Sequence, residues 1–270
     1  MSSPLLSFAG TIAQEGCLPT SSTIDLPAPP ADLLRNASLF LDFDGTLVEI
    51  AERPDAVAVD ARLLALVARL IDRLDGRVAV VSGRPVAQVL DYLGDATPAV
   101  AGSHGMEFRF ADGHIEMVDR PAALQQVQAE MEALAARHPG VLVEEKPLGA
   151  ALHFRQAPEA EAACGDLATQ LAEAHGLHLQ TGKMLYEVRT SGGDKGKAIA
   201  TFMAAPEHAG MRPVFLGDDT TDEPGFESAR ALGGAGVLVG DPRATAASYR
   251  LADVSATLAW LDRAAEALGA

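Results

Sequence analysis

A chain of 270 residues with 37 acidic and 21 basic side chains carries a formal charge of −16. That excess opposes a partner met through a broad basic surface, so neither nucleic acid nor a membrane is expected among its partners. The length supports one large core or a core with an inserted lobe, and the two cysteines, Cys17 and Cys164, form no CxxC, which argues against a disulfide framework or a zinc site.

The opening MSSPLLSFAG lacks the basic and apolar regions of a secretory leader, and no run of 18 apolar residues occurs, so a cytoplasmic protein is expected. Residues 1–30 end in LPAPP, which neither a helix nor a central strand continues through, and read as an extension or a clip onto the main domain. From Ser38 the apolar run SLFLDF closes on the turn-like DGT, after which Leu63, Leu66, Val67, Leu70 and Leu74 recur at helical spacing. Further apolar runs are RVAVV (77–81) closing on SGR, TPAVA (97–101) on GSHG, RPVFL (212–216) on GDDTTDE, and AGVLVG (235–240). Short apolar strands separated by helices predict right-handed crossovers and an α/β fold, a doubly wound parallel sheet covered on both faces.

Between about 107 and 190 the strands come in adjacent pairs: near 106–118, at VLVEEK with ALHFR, and near 177–180 with 184–189, with helices over 121–137 and 158–174. This rhythm predicts an inserted α+β lobe with an antiparallel sheet. The expected organisation is an extension over 1–30, a core over 31–107, the inserted lobe over 108–188, and the rest of the core over 189–270.

Ligands of open α/β sheets bind beyond the carboxyl ends of the strands. Three runs end there in polar clusters: Asp42-Phe43-Asp44-Gly45-Thr46, Ser82-Gly83-Arg84, and Gly217-Asp218-Asp219-Thr220-Thr221-Asp222-Glu223. Each alone is an ordinary turn. Together they gather aspartates that repel one another unless a cation or proton lies among them, and oxygen donors without His or Cys select a hard ion, Mg²⁺. The segment GGDKGKAIATFM is not a phosphate-binding P-loop, since Ser191 stands at its first glycine and Ala198 at its Ser/Thr.

These motifs resemble the haloacid dehalogenase superfamily of phosphatases and phosphotransferases, whose first motif is DxDGT after the first core strand. The resemblance implies that Asp42 attacks phosphorus to give an aspartyl-phosphate, and that Asp44 protonates the leaving oxygen and then activates water. Ser82 would donate to a phosphoryl oxygen. Lys195, a lysine-glycine just before an apolar helix, would be the motif lysine, with Lys197 a surface charge. Mg²⁺ would be held by Asp42, the Asp44 carbonyl and Asp218, with Asp219 and Asp222 holding its waters.

In the lobe, Glu144 and Lys146 are two apart on a strand, as are His153 and Arg155, while Lys183 and Glu187 are four apart, so each pair shares a face. Mixed donors and acceptors on one face suit a sugar. The 21 bases comprise 17 Arg and only four Lys, and two of those four fall here. GSHG (102–105), E-x-K (144–146), HFR (153–155), GKMLYEVR (182–189), KGKA (195–198) and GDDTTDE resemble the trehalose-6-phosphate phosphatases, across Leu39 to Gly225. That resemblance implies a core with a C2B-type cap, in which Glu144, Lys146, Arg155, Lys183 and Glu187 bind the sugar. Gly83, Arg84 and His104 would line the way in, His104 being either a ligand or a structural turn residue. The implied activity is Mg²⁺-dependent hydrolysis of a sugar phosphate, trehalose 6-phosphate, by a monomer. Related capped phosphatases acting on sucrose 6-phosphate or mannosyl-3-phosphoglycerate share the core motifs. A sensor without catalysis is opposed by the presence of Asp42, Asp44, Lys195 and Asp218. Asp194 beside Lys195 departs from the family pattern and would either orient the lysine or weaken phosphate binding.

Overall fold

Strand Ala37–Leu41 is buried along its whole length, which requires cover on both faces of its sheet. A computed structural model describes residues 26–50, 57–94 and 98–269. Up to the second lobe the elements are β1 (Ala37–Leu41), α1 (Ala61–Arg73), β2 (Val78–Val81), α2 (Val86–Leu93), β3 (Ala99–Gly102), β4 (Glu107–Arg109) and β5 (Ile115–Met117). The second lobe holds α3 (Ala123–Ala135), β6 (Leu142–Lys146), β7 (Gly149–His153), α4 (Glu161–His175), β8 (His178–Gly182) and β9 (Leu185–Arg189). Then come α5 (Lys195–Met203), β10 (Arg212–Gly217), α6 (Glu223–Ala231), β11 (Ala235–Val239), β12 (Tyr249–Leu251) and α7 (Val254–Leu268).

The first sheet has the order β12-β11-β10-β1-β2-β3-β4-β5, parallel from β12 to β3. Alternation along β1 divides the core in two. Leu39 and Leu41 face one side, with Leu63, Val67 and Leu70 of α1 and Leu261 of α7. Phe40 faces the other, with Ile199 and Phe202 of α5 and Phe226 of α6. Helix α1 starts where Asp60 accepts a hydrogen bond from Leu63 N at 2.8 Å, satisfying a first-turn amide.

Two features differ from expectation. The strand pair near 106–118 does not join the lobe; β4 pairs antiparallel with β3 and β5 with β4, extending the core sheet. The cause is the GSHG turn, where Ser103, His104 and Gly105 all take positive φ (48°, 57° and 83°) and reverse the chain beside β3. A sixth parallel strand, β12, was too short to register as an apolar run. The described end of the Pro-rich stretch is a clip: Arg250 N donates to Pro27 O at 3.0 Å and Trp260 Nε1 to Pro30 O at 3.3 Å. Residues 1–25, with Cys17, and Thr97 lie outside the described residues.

The second sheet, β6-β7-β9-β8, is antiparallel throughout. One face, with Ala150, Leu152 and Val188, packs on Val127 and Met131 of α3 and Ala168 and Leu171 of α4. On the opposite face the register sets Glu144, Ala151, Glu187 and Gln180 in one row, and Lys146, Gly149, Arg189 and His178 in the next. The small residues fall on central β7, so the polar side chains stand over a shallow floor. Lys183 lies in the turn between β8 and β9, and Arg155 beyond the end of β7, so neither shares a strand face as expected. Met184 at φ 64° completes that tight turn.

Candidate active site

Strands β2, β1 and β10 are neighbours, so their carboxyl ends deliver the three polar clusters to one place. Asp42 follows β1 directly, its amide donating to Leu216 O of β10 at 2.9 Å. Gly45, at φ 79°, lets the DGT turn close; a Cβ there would lie 2.2 Å from Asp218 Oδ2. The two acidic loops therefore meet across a glycine backbone.

Lys195, 4% exposed, opens α5 with Nζ 2.6 Å from Asp42 Oδ1 and 2.6 Å from Asp222 Oδ1. Burial opposes its charge, but Asp222 and Asp42 overcome this and hold its pKa well above the usual lysine value. Asp222 is fully buried, and its Oδ2 accepts from Asp218 N at 2.8 Å and Asp219 N at 2.9 Å. Asp222 thus braces both the acidic loop and the lysine, and it stands behind the cleft instead of lining it.

Against that single lysine stand three carboxylates, Asp42, Asp218 and Asp222, each offering an oxygen within 4.8 Å of the others. Burial drives the Asp42 carboxyl far above the usual range, Lys195 pulling it down and Asp222 and Asp218 pushing it up. Burial and then Asp222 push Asp218 up to about 6. Crowded carboxylates that resist ionisation call for another cation, and an all-oxygen donor set suits Mg²⁺, so the residues present fit that ion.

Asp44 takes a different partner. Arg84 donates to it through Nε at 2.6 Å and Nη2 at 2.7 Å, with the guanidinium 5.7 Å from the Phe43 ring centroid and 5.3 Å from that of Tyr92. Burial opposes the Arg84 charge, yet the fork to Asp44 raises its pKa. Ser82 Oγ accepts from Arg84 N at 3.1 Å, leaving its hydroxyl hydrogen for another acceptor. Asp194 caps α5, accepting from Lys197 N at 2.8 Å, so it orients the helix start that carries Lys195.

A cleft of about 250 Å³ runs between the lobes. The expected catalytic residues Asp42, Asp44, Ser82 and Lys195 line it, as do Asp218, Gly83, Arg84 and His104. From the second lobe, all five expected sugar residues reach it: Glu144, Lys146, Arg155, Lys183 and Glu187. There the two carboxylates are matched. Lys146 Nζ lies 2.7 Å from Glu187 Oε2, and Glu144 Oε2 lies 2.8 Å from His153 Nε2. Burial works against Glu187, but Lys146 holds its pKa far below the usual range; burial likewise opposes Lys146, which Glu187 and Glu144 raise.

Residues 40–255 match the family described as Trehalose-phosphatase. The chain belongs to the trehalose-phosphatase family. It is 40% identical over 234 residues to the trehalose-6-phosphate phosphatase of Escherichia coli (strain K12), covering 85% of this chain and 86% of that protein. The C-terminal domain of the C. albicans trehalose-6-phosphate phosphatase superposes with a TM-score of 0.77 at 23% identity, covering 91% of this chain and 99% of that one. A haloacid dehalogenase-like hydrolase from Bacteroides thetaiotaomicron superposes with a TM-score of 0.60 at 14% identity over 86% of this chain and 98% of that one, and the fold is of the haloacid dehalogenase type.

Within this trehalose-phosphatase family fold, several residues of the site escape a motif reading. Gln88 and Gln180 line the cleft. Buried Glu107 accepts from Val86 N at 3.0 Å and from the Ser103 hydroxyl, tying the start of α2, just past Arg84, to the turn that carries His104. Its one sequence signal is a carboxylate in a strand facing the core.

Proposed function

We propose that this chain hydrolyses trehalose 6-phosphate to trehalose and phosphate, with Asp42 as nucleophile and Mg²⁺ as cofactor. The observation that carries the reading is one cleft holding a lysine-fixed aspartate at one end and a face of alternating donors and acceptors at the other. The anchor at Oδ1 fixes the Asp42 carboxylate so that it attacks phosphorus while the ester P–O bond breaks. Asp44 gives its proton to the departing sugar oxygen, then takes one from the water that cleaves the aspartyl-phosphate. Asp42, the Asp44 carbonyl and Asp218 would hold Mg²⁺, with Asp222 behind them, and the ion supplies the positive charge that offsets the phosphoryl oxygens. Ser82 and Lys195 donate to those oxygens. Arg84 grips Asp44 now; an arriving phosphate competes for that guanidinium and so releases Asp44 to work.

In the second lobe Glu144 and Glu187 accept from sugar hydroxyls while Lys146, Lys183 and Arg155 donate. We infer a small-molecule substrate, and the monomer expected from the sequence is kept as part of this proposal. Among the described residues no helix is long and apolar enough to cross a membrane. Cys164 is a buried free thiol among the described residues, and a cytoplasmic location is part of this proposal.

The test is phosphate release from trehalose 6-phosphate and from sucrose 6-phosphate, each with added Mg²⁺ and with chelator. Turnover of the first ester that chelator abolishes and Mg²⁺ restores is the expected result. Equal or better turnover of sucrose 6-phosphate would sink the substrate assignment, and turnover indifferent to chelator would sink the metal.

A further inference from the structure

A chain of hydrogen bonds crosses the boundary between the lobes at a residue that no motif contains. Arg189 of β9 donates from Nε to Gln180 Oε1 at 2.9 Å, and Gln180 of β8 sets its Nε2 3.3 Å from His104 Nε2 in the core. Chemistry fixes the direction of this chain. A guanidinium has only donors, so the Gln180 oxygen faces Arg189 and its NH₂ group, also only a donor, faces His104. His104 Nε2 must therefore accept, which requires a neutral ring with its proton on Nδ1. Glu187 stands farther off: its Oε2 lies 3.9 Å from that nitrogen and is taken by Lys146 Nζ at 2.7 Å.

The imidazole is fixed from the core side as well. Ser103 and His104 hold consecutive positive φ values, 48° and 57°, and the Ser103 hydroxyl is anchored on Glu107. A Cβ on Gly83 would lie 2.6 Å from His104 Cε1, so the ring lies against the loop that carries Ser82 and Arg84. Gln180 and His104 line both the cleft and a second hollow behind it. With Lys195 and Thr221 the pair separates the two spaces.

We propose that Gln180 is a positioning residue of the phosphatase reaction, its Arg189-directed amide holding His104 as a neutral Nε2 acceptor at the boundary between the two lobes. The turnover part of this proposal rests on the activity proposed above. Protonation of His104 sets an N–H against the Gln180 NH₂, two donors face to face, and draws the ring toward Glu187, which is on the same lobe as Gln180; the amide contact is exchanged for an ion pair and the ring leaves its place. The charged and titratable groups facing the ring are Glu187 and Arg189 from β9 and Lys146 from β6, with His178 of β8, Asp194, Lys195 and Lys197 around the hollow. Burial lowers the His104 pKa, with Glu187 opposing, which agrees with a neutral ring.

The experiment compares the full chain with Gln180→Glu and Gln180→Leu. Imidazole nitrogen chemical shifts report the tautomer and titration of His104, and the pH profile of kcat/KM for phosphate release from trehalose 6-phosphate reports its coupling to turnover. We expect the Nδ1–H tautomer in the unmodified protein. In Gln180→Glu the new carboxylate accepts from Nε2–H, raising the His104 pKa and moving the acid limb to higher pH by about 1 to 2 units. Gln180→Leu should raise KM about tenfold while kcat changes less, the split expected of a positioning contact. An Nε2–H tautomer in the unmodified protein, or an acid limb unmoved in Gln180→Glu, would overturn the proposal. If the unmodified protein releases no phosphate, the phosphatase reading falls and the imidazole shifts alone decide the tautomer.

Discussion

The two ends of the cleft solve opposite electrostatic problems. At the core end three carboxylates share one buried lysine, and burial drives Asp42 and Asp218 toward protonation. At the other end Lys146 answers Glu187 and His153 answers Glu144, and the two glutamates stay below their usual pKa. The core end is short of positive charge and gains most from what it binds. The sheet face is satisfied when empty, so a sugar must replace existing bonds one for one, which favours selectivity over raw affinity. Removing a charge should therefore have opposite effects on stability at the two ends.

Asp42→Asn gives the largest effect. Loss of the nucleophile should cut turnover by at least about 10⁴-fold. Because burial already favours the neutral carboxyl at this position, the amide should leave the thermal midpoint in metal-free buffer unchanged or higher. Phosphate release and calorimetry on the same preparation check both halves. A large fall in the midpoint would mean that Asp42 is held as a fully paired anion, and the contrast between the two ends would fail.

Lys146→Met tests the satisfied end. The pair is nearly enclosed, with side chains 13% and 5% exposed, so stranding Glu187 should cost about 3–5 kcal/mol at neutral pH. The pH dependence has a defined sign. With Lys146 present, the native Glu187 pKa is depressed; its stabilisation is complete above the ordinary 4.5 and is lost only as pH falls toward the depressed native value. Without Lys146, burial takes over and the native pKa rises above the ordinary one, so protonation favours folding. The deficit relative to the unmodified protein should narrow between about pH 7 and about pH 5. Denaturant titrations across that range measure it, and a deficit that widens in acid would contradict the argument.

What could be read from the chain follows the same division. The core site was legible because its three polar clusters each follow an apolar run, and β1, β2 and β10 place those runs side by side. Asp222 shows the limit: the family resemblance marks it as a metal-site residue, but its burial and its two backbone donors become visible only in three dimensions. The strand pair β4 and β5 was legible as a pair but not as part of the core sheet, because a three-residue strand carries no record of which neighbour it joins. Glutamine in a strand has no distinctive chemistry until a guanidinium on one side and an imidazole on the other give its amide a direction, so Gln180 was invisible. Lys183 and Arg155 were legible through the family resemblance of GKMLYEVR and HFR, and the strand-face argument for them did not hold, since both sit in turns that overhang the cleft.

The smallest effect is expected at the second lysine of KGK, and it tests whether position or charge decides the core end. Lys195 and Lys197 are two residues apart on one helix, yet one is buried between Asp42 and Asp222 while the other is 65% exposed. Lys197 Nζ reaches Gly192 O at 2.6 Å and Asp194 Oδ2 at 3.4 Å, both near the surface. Losing these contacts is partly offset by removing a positive charge from a helix N-terminus, where the helix dipole disfavours it. Lys197→Ala should therefore change stability by no more than about 0.5 kcal/mol and turnover by less than about twofold. The Asp194 cap survives, because it accepts from the Lys197 backbone amide and not from the side chain. Parallel assays of Lys195→Ala and Lys197→Ala give the comparison: similar losses in both would mean that general positive charge near α5, and not the one ammonium between two aspartates, sustains the site.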